Sequence, residues 1–166
     1  LLGDAATVAP ERGIFLGETR RMHPALCNFI SDAVYESRLH ADADAARQRL
    51  IIDETLDPEA LAPVGLRFVD VAHEGCAQRS LAEAERLRRT YEALLGQHWI
   101  DREGVTNALG IADILVVTPY NMQVNLLQSV LPEGARVGTV DKFQGQQAPV
   151  ILISMATASG EDLPRN

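Results

Sequence analysis

No run of apolar residues in this 166-residue chain approaches the ~20 needed to cross a bilayer as a helix. No basic-then-apolar leader opens it either. Cysteine is nearly as scarce: Cys27 and Cys76 have no metal-type Cys-x-x-Cys spacing and cannot build a disulfide framework. A basic excess is missing too, since the formal charge is −8 and the pI about 4.9. That balance argues against a free-standing nucleic-acid binder, which normally carries a basic face. It leaves room for local phosphate contacts through backbone amides and a few hydroxyls. A Gly-x-x-x-x-Gly-Lys-Ser/Thr phosphate loop is also absent.

What is present fits one globular domain with a reduced, cytoplasmic setting: 46% hydrophobic and 23% charged residues, in a chain long enough to bury a core. Leu1-Leu2-Gly3 at one end and Gly160-Glu161-Asp162-Leu163-Pro164-Arg165-Asn166 at the other read as cuts through a longer protein. No internal repeat occurs.

Apolar runs alternate with helical periodicity. Ile14-Phe15-Leu16 is a strand candidate. Residues 24–35 read as a helix with Pro24 in its first turn and Leu26, Phe29, Ile30 and Val34 on one face. Residues 40–63 read as a surface excursion containing a short helix. Leu66 to Val71 alternates like a strand. Ser80-x-x-Glu83 is a capping box before the amphipathic set Leu81, Ala84, Leu87, Tyr91, Leu94 and Leu95, with Gly96 near its end. Residues 101–110 read as loop. Ile114 to Val117 has the continuous apolar character of a central parallel strand, and residues 121–131 form a helix stopped by Pro132. Residues 136–140 and 150–154 are two more strands. This order predicts a parallel sheet with right-handed crossovers and helices on both faces, and ligands beyond the carboxyl ends of its strands.

Three polar segments directly follow apolar runs. Thr19-Arg20-Arg21-Met22-His23-Pro24 offers two guanidinium groups that can grip phosphate, or a solvated turn before a helix. Val117-Thr118-Pro119-Tyr120-Asn121 offers a hydroxyl, an aromatic and an amide for a sugar-phosphate backbone and a base, or a capped helix start. Gly138-Thr139-Val140-Asp141-Lys142-Phe143-Gln144-Gly145-Gln146-Gln147 lets the backbone approach a phosphate, or is ordinary β-turn chemistry.

Taken in order, Arg-Met-His-Pro (21–24), Thr-Pro-Tyr (118–120) and Thr-Val-Asp-x-Phe-Gln-Gly (139–145) resemble the C-terminal motor domain of superfamily 1B helicases, of the RNA-decay and replication-nuclease type. The likeness runs from about Leu16 to Ser159. It is strongest to bacterial proteins that join a RecB-like nuclease to such a motor. The resemblance implies an α/β fold: a RecA-like parallel β-sheet sandwiched between helices, the P-loop NTPase fold without its P-loop. Residues 1–13 would end a linker from a preceding motor domain. Residues 14–166 would be a second RecA-like domain, C-terminally truncated, with the 40–63 excursion.

By the same resemblance Arg21 reaches the γ-phosphate of ATP, and Arg20 stands where relatives carry an adenine-contacting tyrosine. Gln144 and Gly145 lie near the phosphates. Gln147 replaces a glutamate close to the ribose, keeping its hydrogen bonding but no carboxylate role. Thr118, Pro119, Tyr120, Thr139 and Asp141 contact the nucleic-acid strand. The implied cofactor is ATP with Mg2+, whose ligands belong to the missing first motor domain. The implied partners are that domain and single-stranded DNA, or RNA if the parent is an RNA helicase. Arg20 and Gln147 favour a different class, a binding or scaffold domain that has kept the fold and lost the motor. Without a phosphate loop the fragment alone is expected neither to hydrolyse ATP nor to unwind a duplex.

Two lookalikes carry no function. Leu2-Gly3-Asp4 to Pro10 lacks the glutamine of the family's Gly-Asp-Gln-Pro sensor motif and reads as linker. Ile51-Ile52-Asp53-Glu54 mimics a Walker B strand end, but it follows the arginine motif where the family's precedes it.

Overall fold

The computed structural model describes Thr7, residues 13–73 and residues 75–157; the linker motif at residues 2–4 and the tail from residue 158 lie outside that set. The chain divides into two units, one of Leu1–Ile51, Ala62–Arg67 and Trp99–Asn107, the other of Ile52–Leu61, Phe68–His98 and Ala108–Asn166.

In the first unit, β1 (Glu18–Thr19), α1 (Pro24–Val34) and β2 (His40–Ala41) form a short strand–helix–strand crossover, with Glu18 opposite His40 and Thr19 opposite Ala41 in parallel. The strand expected at Ile14–Leu16 begins later. Ile14 and Leu16 are more than four-fifths exposed, whereas Gly17 and Thr19 accept the N–H groups of His40 and Asp42. Gly17 permits this close pass, since a Cβ there would lie 3.2 Å from the Arg38 carbonyl.

Helix α1 starts as its proline suggests, with His23 as cap: Nδ1 accepts the Ala25 N–H at 3.1 Å. Burial pushes the His23 pKa down, against a backbone hydrogen bond to Ala46, which favours the neutral ring that this bond requires. The expected apolar face is corrected. Cys27 and Ser31 are the buried residues of α1, while Phe29 and Val34 are half exposed. The reason is local bonding. Ser31 Oγ accepts the Leu39 N–H at 3.0 Å and the Cys27 thiol points to the Leu39 carbonyl, so small polar groups satisfy the returning chain. Burial also raises the Cys27 pKa.

The excursion expected at 40–63 is more ordered than its composition suggests. Its aspartates start turns. Asp42 caps a single-turn 3-10 helix at Ala43–Arg47, followed by β3 (Arg49–Ile51). Asp53 accepts both the amide and the hydroxyl of Thr55 to cap Glu54–Leu56, so the Walker B mimic is a turn.

Residues 66–71, which run from the first unit into the second, form no strand where one was expected, and Phe68 is 89% exposed. Alternation marks a strand only where a neighbour supplies hydrogen bonds. Helix α2 (Leu81–Leu94) is capped by Ser80 Oγ and buries Ala84, Leu87, Thr90, Tyr91 and Leu94, but not Leu81. Asp57 locks residues 52–61 onto this helix. Arg86 grips it through two bonds of 2.6 and 2.7 Å, and Thr90 donates to it at 2.6 Å. Most of the loop expected at 101–110 is loop or turn, but Thr106–Ala108 is strand β5, paired with β4 (His98–Ile100) in a hairpin. The hairpin falls mainly in the first unit and is closed by Asp101, whose carboxylate accepts the Val105 N–H.

Strand β6 (Ile114–Val117) lies between β7 (Arg136–Gly138) and β8 (Val150–Ile153), parallel to both. Ile114, Leu115 and Val116 are buried, each contributing about 1.5–3 kcal/mol by the usual transfer scale. Helix α3 (Asn121–Val130) connects β6 to β7, stops before Pro132 and packs against α2. These parallel strands and their helices make the mixed α/β arrangement of a RecA-like fold. Among the described residues no helix is long and apolar enough to cross a membrane.

The Arg86 hydrogen bonds hold the Asp57 pKa below the ordinary aspartate value, with help from Thr90 and against desolvation. A depressed carboxylate adds stability above its unfolded pKa and loses it as pH falls through the folded one. Asp57→Asn should cost about 1–3 kcal/mol at neutral pH. In urea titrations from pH 7 to pH 3, the variant should also lose part of the acid-dependent drop seen in the unsubstituted chain.

Candidate functional site

The register of the three-stranded sheet decides what emerges at its carboxyl edge. Val117 lies opposite Gly138 and Ile153, so Thr118, Thr139 and Ser154 leave the sheet side by side. Backbone bonds extend the alignment by one residue, from Thr118 N–H to the Gly138 carbonyl at 3.1 Å and from Ser154 N–H to the Val117 carbonyl at 3.0 Å.

Of the strand-side candidates, Thr118 has no exposed surface, and its Oγ1 has no hydrogen-bond partner among the described residues. A strand lying on this surface would meet exposed Pro119 and partly exposed Tyr120 first. Tyr120 sits at the cap position of α3 without a side-chain capping bond, so neither Thr118 nor Asn121 supplies the expected cap. Thr139 is partly exposed and Asp141 exposed.

The segment after β7 leaves the strand early. It makes one 3-10 turn at Asp141–Phe143 and then exposes Gln144, Gly145 and Gln147. Gly145 has φ 80°, and a Cβ there would meet no described residue within 4 Å, so glycine is required for conformation and not for space. Gly138 is the opposite case. A Cβ on it would collide with Lys142 Cδ and lie 3.1 Å from Phe143 Cε2. Lys142, the only lysine in the sequence, folds back over that glycine and donates to the Val137 carbonyl at 2.8 Å. Arg136 adds a second clasp, donating to Gln146 Oε1 at 2.6 Å.

Arg20 and Arg21 belong to the other unit, directly after β1. Arg20 lies 3.6 Å from both Glu18 and Asp42. Arg21 is exposed, and its guanidinium makes no ion pair among the described residues. His23 and Pro24 are accounted for by helix initiation, so the basic pair is what the start of α1 leaves unexplained.

Sequence reasoning passed over Lys142, Gln123 and the partners of Glu83 and Ser154. Ser154 follows an apolar run, the criterion that found Thr118 and Thr139, and was readable on that ground. Gln123 gave no local signal, because its partners are dozens of residues away. Among the described residues no group of His, Cys, Asp and Glu is placed to hold a metal ion.

Comparison with known proteins gives a consistent result. Residues 2–163 match the sequence pattern of the AAA domain family. The DNA polymerase alpha-associated DNA helicase A of Schizosaccharomyces pombe is 31% identical over 156 residues, covering 87% of this chain and 23% of that protein. RNA helicase Mov10l1 of Homo sapiens is 30% identical over 152 residues, 86% of the chain and 12% of the relative. DNA-binding protein SMUBP-2 of Rattus norvegicus is 28% identical over 145 residues, 84% and 14%. The chain thus spans less than a quarter of the length of each.

The packing of Lys142 on Gly138 has a direct readout. Gly138→Ala must displace the lysine stem, at about 1–3 kcal/mol for an overpacked contact. Cleavage by a lysine-specific protease, which has one internal target here, should become faster in Gly138→Ala under native conditions. Equal cleavage rates would show that the clasp does not hold the loop.

Proposed function

Since the chain belongs to the AAA domain family and is a C-terminal domain of the superfamily 1 helicase type, we propose that it is the second motor domain of an ATP-dependent DNA helicase. The observation that most supports this is the common strand end at Val117, Gly138 and Ile153, which sends the Thr118–Tyr120 and Thr139–Gln147 segments off one edge. Ligands of open parallel α/β sheets bind beyond such an edge.

In this proposal Arg21 acts on the γ-phosphate of ATP, stabilising the charge of the transferring phosphoryl group. Its unpaired guanidinium suits that work better than Arg20, which Glu18 and Asp42 partly neutralise. Arg20 keeps a planar face that can lie against the adenine. Gln144, Gly145 and Gln147 meet the nucleotide through side-chain amides and the open Gly145 backbone, with Gln147 on the ribose. Magnesium is held by the first motor domain, the chain's essential partner. On the strand side, Tyr120 stacks on a base with Pro119 beside it. Thr139 donates to the phosphate backbone, and Asp141 accepts from a base amino group. Thr118 lies beneath them and shapes the turn. ATP closes the cleft between the motor domains, the second domain shifts along one strand, and hydrolysis lets it relax forward.

The DNA helicase among the relatives favours DNA as the strand. The RNA helicase among them keeps RNA as a second reading, which parallel stimulation assays with both polymers would decide.

Arg21→Ala in the full-length protein should remove most ATP turnover and leave strand binding intact, and the isolated 166-residue chain should show none. An unchanged turnover number in the variant would sink the finger assignment. Tyr120→Ala should weaken single-strand binding by about 1–3 kcal/mol, the usual loss of one stacked base. Fluorescence anisotropy with a labelled oligonucleotide measures it, and near-native affinity would refute the contact.

A further inference from the structure

A buried polar network lies under the carboxyl edge of the sheet, and the proposed ATP and strand chemistry uses none of it. Gln123, in the first turn of α3, has no exposed surface. Its Nε2 donates to Ser154 Oγ at 3.0 Å and to the Ser80 carbonyl at 3.1 Å, and its Oε1 accepts the Ser80 N–H at 2.8 Å. Ser154 Oγ donates in turn to Glu83 Oε2 at 2.6 Å. The Glu83 carboxyl also takes the Ala156 N–H, 3.0 Å from each oxygen, and lies 2.8 Å from His73 Nε2. Ala156 has φ 60°, which a residue with a Cβ holds only when its surroundings impose it.

The Ser80-x-x-Glu83 pattern normally closes on itself, serine capping the Glu N–H and glutamate returning to the Ser N–H. Only the first arm forms. Gln123 takes the Ser80 N–H, and Glu83 is released to hold the chain as it leaves β8. An apolar core of equal volume can stabilise a fold as well or better, whereas a satisfied polar network selects one arrangement of its elements. The elements joined here are the start of α2, the first turn of α3 and the exit of β8. Helix α3 begins at the residue after Tyr120, and β8 follows the Asp141–Gln147 loop.

We propose that Gln123 and Glu83 are positioning residues for the strand-contacting turn, fixing where Pro119 and Tyr120 stand relative to the β8 exit so that a single strand meets a preformed surface. This rests on the assignment of that turn to strand contact. In the full-length protein, ATP turnover is titrated with single-stranded oligothymidylate for Gln123→Leu, Glu83→Gln and the milder Ser154→Ala, below each variant's unfolding transition. The half-saturating strand concentration should rise about tenfold in the first two and less in the third, while turnover at saturating strand stays within about twofold. The double variant should be no worse than its more affected parent, because both act through one network.

Unchanged half-saturation in Ser154→Ala, and in whichever of the other variants folds, overturns the proposal. So does a lost maximal turnover with unchanged half-saturation. Tyr120→Ala in the same titration separates the two levels. If it leaves half-saturation unmoved, the contact reading fails and this inference falls with it. If it shifts half-saturation and the network variants do not, the inference alone is wrong.

Discussion

The parallel register of β6 with its two neighbours is the constraint on which the rest of the second unit depends. Because Val117, Gly138 and Ile153 end level, three chain segments must turn away from the sheet at one edge. A slip of one residue in β8 would reverse which of its side chains face the core, burying Ile151 and Ile153 and exposing Val150, Leu152 and Ser154. The fully apolar β6 fixes the middle of this arrangement, and its neighbours need only match it. The segment leaving each strand is then free to vary in chemistry without disturbing the core.

Two clusters in this unit show how buried polarity is managed. Asp57 with Arg86 and Thr90, and Glu83 with Ser154, Ala156 and His73, are carboxylates enclosed by donors. Each would be costly if left unpaired. The first clamps a short turn segment to one helix and can be understood as stability alone. The second reaches across dozens of residues to the end of a strand. Ser154 links it to Gln123, which stands three residues beyond Tyr120. Position in the chain, more than bond strength, distinguishes the two.

Much of this was legible in the sequence, for identifiable reasons. Ile114–Val117, α2 and α3 were readable because their burial pattern is continuous and their ends carry proline or a capping serine. The strand expected at 66–71 failed because alternation records amphipathicity and not the presence of a partner strand. The β4–β5 hairpin was hidden because Asp101, Gly104 and Asn107 give the segment a loop-like composition while its short strands pair through their backbone. The buried face of α1 was misread because Cys27 and Ser31 are buried for hydrogen bonds to Leu39, which hydrophobic periodicity does not report. At the carboxyl edge, the segments after Val117 and Gly138 were findable because each directly follows an apolar run. That criterion missed Gln123, whose side chain is defined by contacts between elements distant in the chain.

The clasp of Lys142 on the Val137 carbonyl has a consequence of another kind. Fourteen arginines accompany this one lysine, so acylation of lysine, by a reagent or by a cellular acyltransferase, has a single side chain to find. Adding an acyl group there removes the ammonium and crowds the space that Gly138 leaves open. A chemistry that usually scatters over a protein surface would here write its whole effect into the turn between β7 and β8.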